Sequence, residues 1–459
     1  MMILLLVLGF SYEKSTKQNE NRNPPLVIFP PMFGSVLFGT VKDVPIPHWF
    51  CLKNLKDSWI WETDQYLIPP ITDCMAAYLK CGWNYTTNRP DSRNESYIYT
   101  IDFGGDQGIR YLDRGIFGYH FVHDMDGFLE SMEANGFKVR DDMFGAPFDW
   151  RLSPIGIEQF YIDAKKLIED VFVQRNNQKV TIFSYSGGCF SLHYFLTKKV
   201  SQEWKDKYID HVIFVGPSYA GSADALLCLW LGVSWFPGAE SQAMSEMLLS
   251  LPTLYSHFPN YKVHKDIPAV IGPHNEVYSY SEVKQLLYDL GKVDDQENRK
   301  IFDFADADVL SSDIEDPGVD SYIIFNSALP TIIGLNFSNS TESNLNDVEI
   351  NFLGVKKTVK LDRKENDDWG NLQAIMGEGD GCLSKEALYY GCNAWKSGHT
   401  VLCHDYNTLN ETYNHGALLT LPDVLDDIYQ NIVNNSWRQR KGNFVFEGKD
   451  MDINKMKKL

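Results

Sequence analysis

Ser186 stands where a β-branched and aromatic run, Val180-Thr-Ile-Phe-Ser-Tyr185, meets Gly187 and Gly188 and then turns helical towards Leu196. A serine held on a sharp strand-to-helix bend is lifted clear of its sheet, and the backbone N–H groups that open the helix can receive an oxyanion. Such a serine attacks acyl carbonyls. It needs a base for its proton and a carboxylate to hold that base in one tautomer. In strand-turn-helix hydrolases the three follow in the order Ser, Asp, His, so the partners must come from the C-terminal third. Gly377-Glu-Gly-Asp-Gly-Cys382 presents Asp380 in a glycine-rich turn, where a carboxylate can reach a neighbouring loop. Three histidines compete as base: His399, His404 and His415. His415, between Asn414 and Gly416 and directly ahead of a helix, is the choice; His404 lies at a strand end and reads as structural. The usual elbow is Gly-x-Ser-x-Gly, whereas here Ser184 takes the place of the first glycine.

These groups have to be positioned by elements legible in the apolar pattern. Strand-like runs recur at Leu26 to Phe29, Lys179 to Phe183, His211 to Val215, Tyr322 to Phe325 and Thr400 to Cys403, with helical periodicity between several of them. That alternation predicts a parallel α/β sheet. Positions 157, 160, 161, 164, 167, 168, 171 and 172 keep one helical face just ahead of the elbow strand. Ser279 and Glu282 form a capping box for a helix running to Leu290, which Gly291 is placed to end. Leu421 to Ile432 reads as an amphipathic helix that closes the fold, with proline acceptable in its first turn.

The 459 residues, 44% hydrophobic, are ample for one elaborated domain, and no second domain is marked. A net charge of −19, with only short basic clusters near Lys198 and in the tail after Arg438, argues against a nucleic-acid partner. The apolar run within Met1 to Phe10 and the polar stretch after Ser11 predict a short signal peptide over residues 1–11. Sequons at Asn84, Asn94, Asn336, Asn339, Asn410 and Asn434 fit a secretory route. Eight cysteines are too few for a disulfide scaffold but allow a few bridges. Cys51 and Cys74 could close one loop that carries Trp59 and Trp61, with Trp49 and Phe50 just outside it. No Cys-x-x-Cys zinc pattern occurs.

The chain resembles the lecithin:cholesterol acyltransferase and lysosomal phospholipase A family from about Pro24 to Asn435. The resemblance is carried by Pro30-x-Met-Phe-Gly34, Gly145-Ala-Pro-Phe-Asp-Trp-Arg151, the elbow, Trp204-Lys-Asp-Lys-Tyr-Ile209, Gly-Asp-Gly at 379 to 381, and Asn414-His415. It implies an α/β-hydrolase fold over about residues 24–440, followed by a tail at 441–459. Also implied are a small membrane-binding insertion at about 45–85, bridged by Cys51 and Cys74, and a cap between about Gly221 and Asp320. The triad would be Ser186, Asp380 and His415, with the backbone N–H groups of Met32 and Gly187 as oxyanion donors. Trp49, Phe50, Trp59 and Trp61 of the insertion would meet lipid, and so would Trp230, Trp235 and Phe236 of a lid. The activity implied is transfer of a fatty-acyl group from a glycerophospholipid at a membrane surface, through an acyl-serine, to water or a lipid alcohol. No cofactor or metal is needed, and the setting would be a lysosome-like compartment or the cell exterior.

Pro31, Ser184 and Tyr185 depart from the family pattern, the proline in a way that restricts the oxyanion turn. Ile323 falls where the family has one cysteine of a second bridge, so Cys392 would pair with Cys382 or Cys403 instead. A neutral-lipid lipase or other serine esterase would keep the triad, and a catalytically silent lipid-binding protein would keep only the aromatic surfaces. Residues 339–368 read as a polar surface excursion.

Overall fold

Strands whose side chains are apolar on both faces must be covered on both faces, and the central sheet follows that rule. The computed structural model describes residues 22–61, 68–113, 120, 125–232, 241–338, 347–352, 355–360, 369, 372–396, 398–434 and 442–447. Its main sheet has seven strands: β1 (Leu26–Phe29), β2 (Met143–Gly145), β3 (Val180–Tyr185), β4 (Ile209–Val215), β5 (Ser321–Phe325), β6 (Thr400–Asp405) and β7 (Gly442–Glu447). The order is β7-β6-β5-β4-β3-β1-β2, and all adjacent pairs are parallel.

Alternate residues of each strand enter different cores. Val27, Phe29, Ile182, Phe214 and Ile323 pack on one side with Phe160, Ala164, Ile168 and Val171 of the Glu158–Gln174 helix. Leu26, Ile28, Phe183, Ile213, Tyr322 and Ile324 pack on the other. There they meet Phe128 and Met132 of the Asp126–Ala134 helix and Val424, Ile428 and Ile432 of the Pro422–Val433 helix. This is the α/β-hydrolase arrangement. The expected capping box is present at Ser279 and Glu282, on a helix over Tyr280–Asp289.

Among the described residues, the stretch from 221 to 320 forms helices and two short strands, Val270–Ile271 and Val277–Tyr278. Those strands join Leu329–Asn336 and Gln373–Gly379 in a separate four-stranded sheet. The N-terminal insertion contains the strand Leu55–Trp61 and the helix Thr72–Leu79, and a disulfide joins Cys51 to Cys74. It is tied to the 221–320 stretch: the Cys81 N–H donates to Ser250 Oγ at 3.0 Å, and Lys80 pairs with Glu246.

Two expectations change. The tail predicted from residue 441 contains β7, because Asn443-Phe-Val-Phe-Glu447 alternates and sets half-buried Phe444 and Phe446 against the second core. Within the polar excursion, Asp347–Phe352 and Val355–Lys360 pair as an antiparallel hairpin. Of the partners open to Cys392, the bridge goes to Cys403, and Cys382 is a buried free thiol. No helix among the described residues is long and apolar enough to cross a membrane. The apolar run of residues 1–10, Trp235, Phe236, Asn339 and the tail at 448–459 lie outside the described residues.

Candidate active site

Ser186 has φ 51° and ψ −120°, a backbone conformation that side-chain-bearing residues rarely adopt. Three hydrogen bonds hold it there: its N–H donates to the Val215 carbonyl at 2.9 Å, and its own carbonyl accepts from Cys189 N–H at 3.0 Å and Ser218 Oγ at 2.9 Å. Ser184 fits the first elbow position because its buried hydroxyl donates to the Ile213 carbonyl at 3.2 Å. Glycine is required at the next two positions by close approach. A Cβ on Gly188 would lie 2.3 Å from the Pro30 carbonyl oxygen, and one on Gly187 would lie 2.7 Å from Met32 Cβ.

Ser186 Oγ is 2.8 Å from His415 Nε2, and His415 Nδ1 is 2.7 Å from Asp380 Oδ2. All three residues are buried. A carboxylate on Nδ1 fixes the proton there and leaves Nε2 free to accept the serine proton. Asp380 ends the Gln373–Gly379 strand, and its other oxygen accepts from the N–H groups of Cys382 at 3.0 Å and Leu383 at 2.7 Å. Gly379 is needed because a Cβ there would stand 2.0 Å from the Leu383 carbonyl oxygen. His415 is steadied from both ends. Its N–H donates to the Asp380 carbonyl at 2.8 Å, and the Tyr185 hydroxyl donates to its own carbonyl. His404 instead pairs with Asp427 at 2.7 Å inside the second core, the structural role read for it. His399 lies at the surface 3.7 Å from Asp320.

Pro31 does not spoil the facing turn. Its carbonyl accepts from Gly34 N–H at 3.1 Å, with Phe33 at φ 70°, and Met32 N–H lies beside Gly187, 2.9 Å from where a Cβ would project. Among the described residues, neither Met32 N–H nor Gly187 N–H donates a hydrogen bond to a protein acceptor. The turn is braced from behind: Trp61 Nε1 donates to the Phe33 carbonyl at 2.8 Å, and the Trp150 ring packs on Phe33 and Trp61. The Gly145-to-Arg151 motif thereby acquires a physical role. Arg151, fully buried, makes a two-pronged pair with Asp149 and donates to the Leu79 carbonyl and Ser92 Oγ, which locks Trp150 between the sheet and the N-terminal insertion.

A sequence model of the lecithin:cholesterol acyltransferase family matches residues 57–270, which include the elbow. The chain is similar to phosphatidylcholine-sterol acyltransferase of Gallus gallus, 24% identical over 68% of this chain and 73% of that protein. It is likewise similar to lysosomal phospholipase A and acyltransferase of Homo sapiens, 25% identical over 72% of this chain and 78% of that protein. The enzyme of the same name from Rattus norvegicus is 24% identical over 82% and 83%. Over residues 57–270 the chain is similar to the lecithin:cholesterol acyltransferase family.

The aromatic residues that the family likeness offers as lipid-facing divide sharply. Trp49 is 92% exposed and Phe50 38% exposed. Trp61 is a correction: it is buried as the brace of the Pro31–Gly34 turn, because its indole N–H finds the Phe33 carbonyl there. Trp59 is half-buried, with Nε1 on the Leu112 carbonyl at 3.0 Å. Trp230 is also a correction, since it is buried against Phe337 and Trp369.

In front of Ser186 lies a pocket lined by Met32, His415, Leu254 and Leu383 together with Asp224 and His257. The last two were missed from sequence. Asp224 is a lone carboxylate in the run Ala223-Asp-Ala-Leu-Leu-Cys-Leu-Trp-Leu231, and that isolation was the available signal. Burial pushes its carboxyl up to about 7, and burial holds His257 down to about 4.

Proposed function

We propose that this protein is a serine-dependent acyl hydrolase and acyltransferase that acts on glycerophospholipids. The observation that carries the reading is the buried chain from Ser186 Oγ through His415 to Asp380, at 2.8 and 2.7 Å, beside the Met32 and Gly187 N–H groups, which find no protein acceptor among the described residues. As Ser186 attacks an ester carbonyl, His415 Nε2 takes the hydroxyl proton and Asp380 stabilises the imidazolium. The Met32 and Gly187 N–H groups receive the charge that develops on the carbonyl oxygen. His415 then passes its proton to the departing lysophospholipid oxygen, leaving an acyl-serine. Water or a lipid alcohol gives a proton to His415, attacks the acyl-serine, and returns Ser186. A general base already supplies the nucleophile, so no step is assigned to a metal.

The glycerophospholipid is taken from the names of the relatives, phosphatidylcholine-sterol acyltransferase and lysosomal phospholipase A and acyltransferase. The 45–85 insertion is the reading's contact with a membrane surface, supported by exposed Trp49, Phe50, Leu52 and Ile68 on a disulfide-bridged excursion. Two disulfides and the sequons support a secretory route, ending in a lysosome-like compartment or outside the cell. The 221–320 stretch serves as the cap that walls the pocket. Nucleic acid is excluded from the reading by the net charge of −19.

The test is release of labelled fatty acid from phosphatidylcholine liposomes by wild type and Ser186→Ala, with and without chelator. Release that resists the chelator and vanishes in the variant is expected. Release from triacylglycerol droplets but not from phosphatidylcholine would replace the reading with a neutral-lipid lipase.

A further inference from the structure

Met32 lies in a turn with no regular element of its own, so side chains have to fix its orientation. On one side Trp61 holds the Phe33 carbonyl. On the other, the Met32 side chain packs on Gly187, where an added Cβ would stand 2.7 Å from Met32 Cβ, and it ends with Sδ 3.3 Å from Thr253 Oγ1. Both Met32 and Thr253 are buried and line the pocket in front of Ser186. A thioether has only lone pairs, so the hydroxyl is the donor. The other neighbour of that hydroxyl, His257 Nδ1 at 3.3 Å, cannot take the same proton. His257 Nδ1 lies 2.9 Å from the Thr253 carbonyl, which only accepts, so Nδ1 carries a proton of its own. Met32 Sδ is thereby the acceptor left to the Thr253 O–H among the described residues. Ser256, in the same helix Pro252–Ser256, spends its hydroxyl differently, on the Pro252 carbonyl at 2.9 Å. The segment that carries Thr253 is itself tied to the chain after β4: Ser222 N–H donates to the His257 carbonyl at 2.8 Å, and Asn260 N–H to the Ala220 carbonyl at 2.9 Å.

We propose that Thr253 is a positioning residue for the oxyanion: its hydroxyl clamps the Met32 thioether and so holds the Met32 N–H where charge develops on the ester carbonyl oxygen. This rests on the acyl-serine reading above, in which Thr253 acts only through Met32 and exchanges no proton with the substrate. A donor stabilises an oxyanion best when it is aimed before the charge forms. Methionine is unbranched and flexible, and a free side chain would pass between rotamers beside the donor it carries. Pro31, just before it, has no N–H with which to hold the turn. Packed on Gly187 at Cβ and bonded to Thr253 at Sδ, the side chain ties the angle of one donor to the place of the other. The benefit falls on the transition state rather than on the bound ester, because full charge on that oxygen appears only there.

The experiment measures hydrolysis of a soluble p-nitrophenyl ester, and its inhibition by an alkyl trifluoromethyl ketone, whose adduct with a serine carries an oxyanion. The proteins are wild type, Ser186→Ala, Thr253→Val, Thr253→Ser, Met32→Leu and the double variant of Thr253→Val with Met32→Leu. Thr253→Val should lower kcat roughly threefold with KM little changed, and weaken the ketone by the same factor. Thr253→Ser keeps the hydroxyl and should restore most of the rate. Met32→Leu removes the acceptor and should reproduce the loss, after which Thr253→Val should add nothing. Unchanged kcat and ketone affinity in Thr253→Val overturn the proposal, as does a rise in KM at unchanged kcat, or fully additive losses in the double variant. Should Thr253→Val fail to fold, Met32→Leu carries the test, and wild-type kcat in it overturns the clamp. Ester hydrolysis that persists in Ser186→Ala contradicts the acyl-serine reading and the clamp together. Hydrolysis that needs Ser186 but is indifferent to Thr253 removes the clamp alone.

Discussion

Asp224 shows how one side chain can set the pH response of the site. Burial raises its carboxyl to about 7 from an ordinary value of 3.8, against the influence of His415 and with that of Asp380; Cys382, Ser222 and Tyr280 also face it. Between those two values the folded protein holds a proton that the unfolded chain has lost, so this group makes stability fall as pH rises across the window. The slope is at most about 1.4 kcal/mol per pH unit. Asp224→Asn removes it. Relative to wild type, the variant should gain stability on going from pH 4 to pH 7.5 in urea titrations; a constant difference between the two proteins would contradict the assignment. Ser186, by contrast, was legible as a residue because small residues and a strand-to-helix transition surround it. Asp224 was not, because its partnerless oxygen is a property of the pocket and only its isolation in an apolar helix is written in the chain.

At the scale of elements, the Pro31–Gly34 turn, proposed to receive the oxyanion, is the part held most indirectly. Pro31 to Gly34 has no regular element of its own, and Trp61 from the Leu55–Trp61 strand and Trp150 from the motif after β2 hold its shape. Trp61→Phe keeps the ring volume and removes the hydrogen bond to the Phe33 carbonyl. A neutral hydrogen bond of this kind is worth about 1 kcal/mol, so kcat on phosphatidylcholine should fall roughly fivefold with KM little changed. A rise in KM at unchanged kcat would instead place Trp61 in substrate binding. The buried strands β1, β3, β5 and β6, the nearly buried β4 and the Glu158–Gln174 helix could be read from sequence because their apolar pattern is continuous or strictly periodic. β2, three residues long, and β7, behind a polar stretch, lack that signal. The strand that delivers Asp380 belongs to the second sheet, whose pairing between residues 329–336 and 373–379 is set by tertiary contact rather than by local pattern. The same is true of Trp61 and Trp230: an aromatic side chain on a short strand or helix reads alike whether it meets lipid or packs inside.

The molecule as a whole buries several histidines in the neutral state. Burial lowers His193, His257 and His264 to about 4 and His211 to about 3. The unfolded chain takes up their protons near 6.5 while the folded protein does not, so their contribution rises with pH between about 4 and 6.5 and is lost as pH falls through that range. These four groups act opposite to Asp224 and outnumber it. The urea midpoint should therefore drop between pH 6.5 and pH 4.5, whereas an unchanged or higher midpoint at pH 4.5 would count against buried neutral imidazoles. Cys81 and Lys80, just after the Thr72–Leu79 helix, bond to Ser250 and Glu246 of the Gln242–Ser250 helix.

The proposed mechanism requires Ser186 to become covalently acylated, which mass spectrometry of wild type quenched in acid during turnover of phosphatidylcholine would detect. A single fatty-acyl adduct on the peptide containing Ser186, absent in Ser186→Ala, is the predicted result. Sustained release of fatty acid with the adduct on another residue, or with release undiminished in Ser186→Ala, would contradict it.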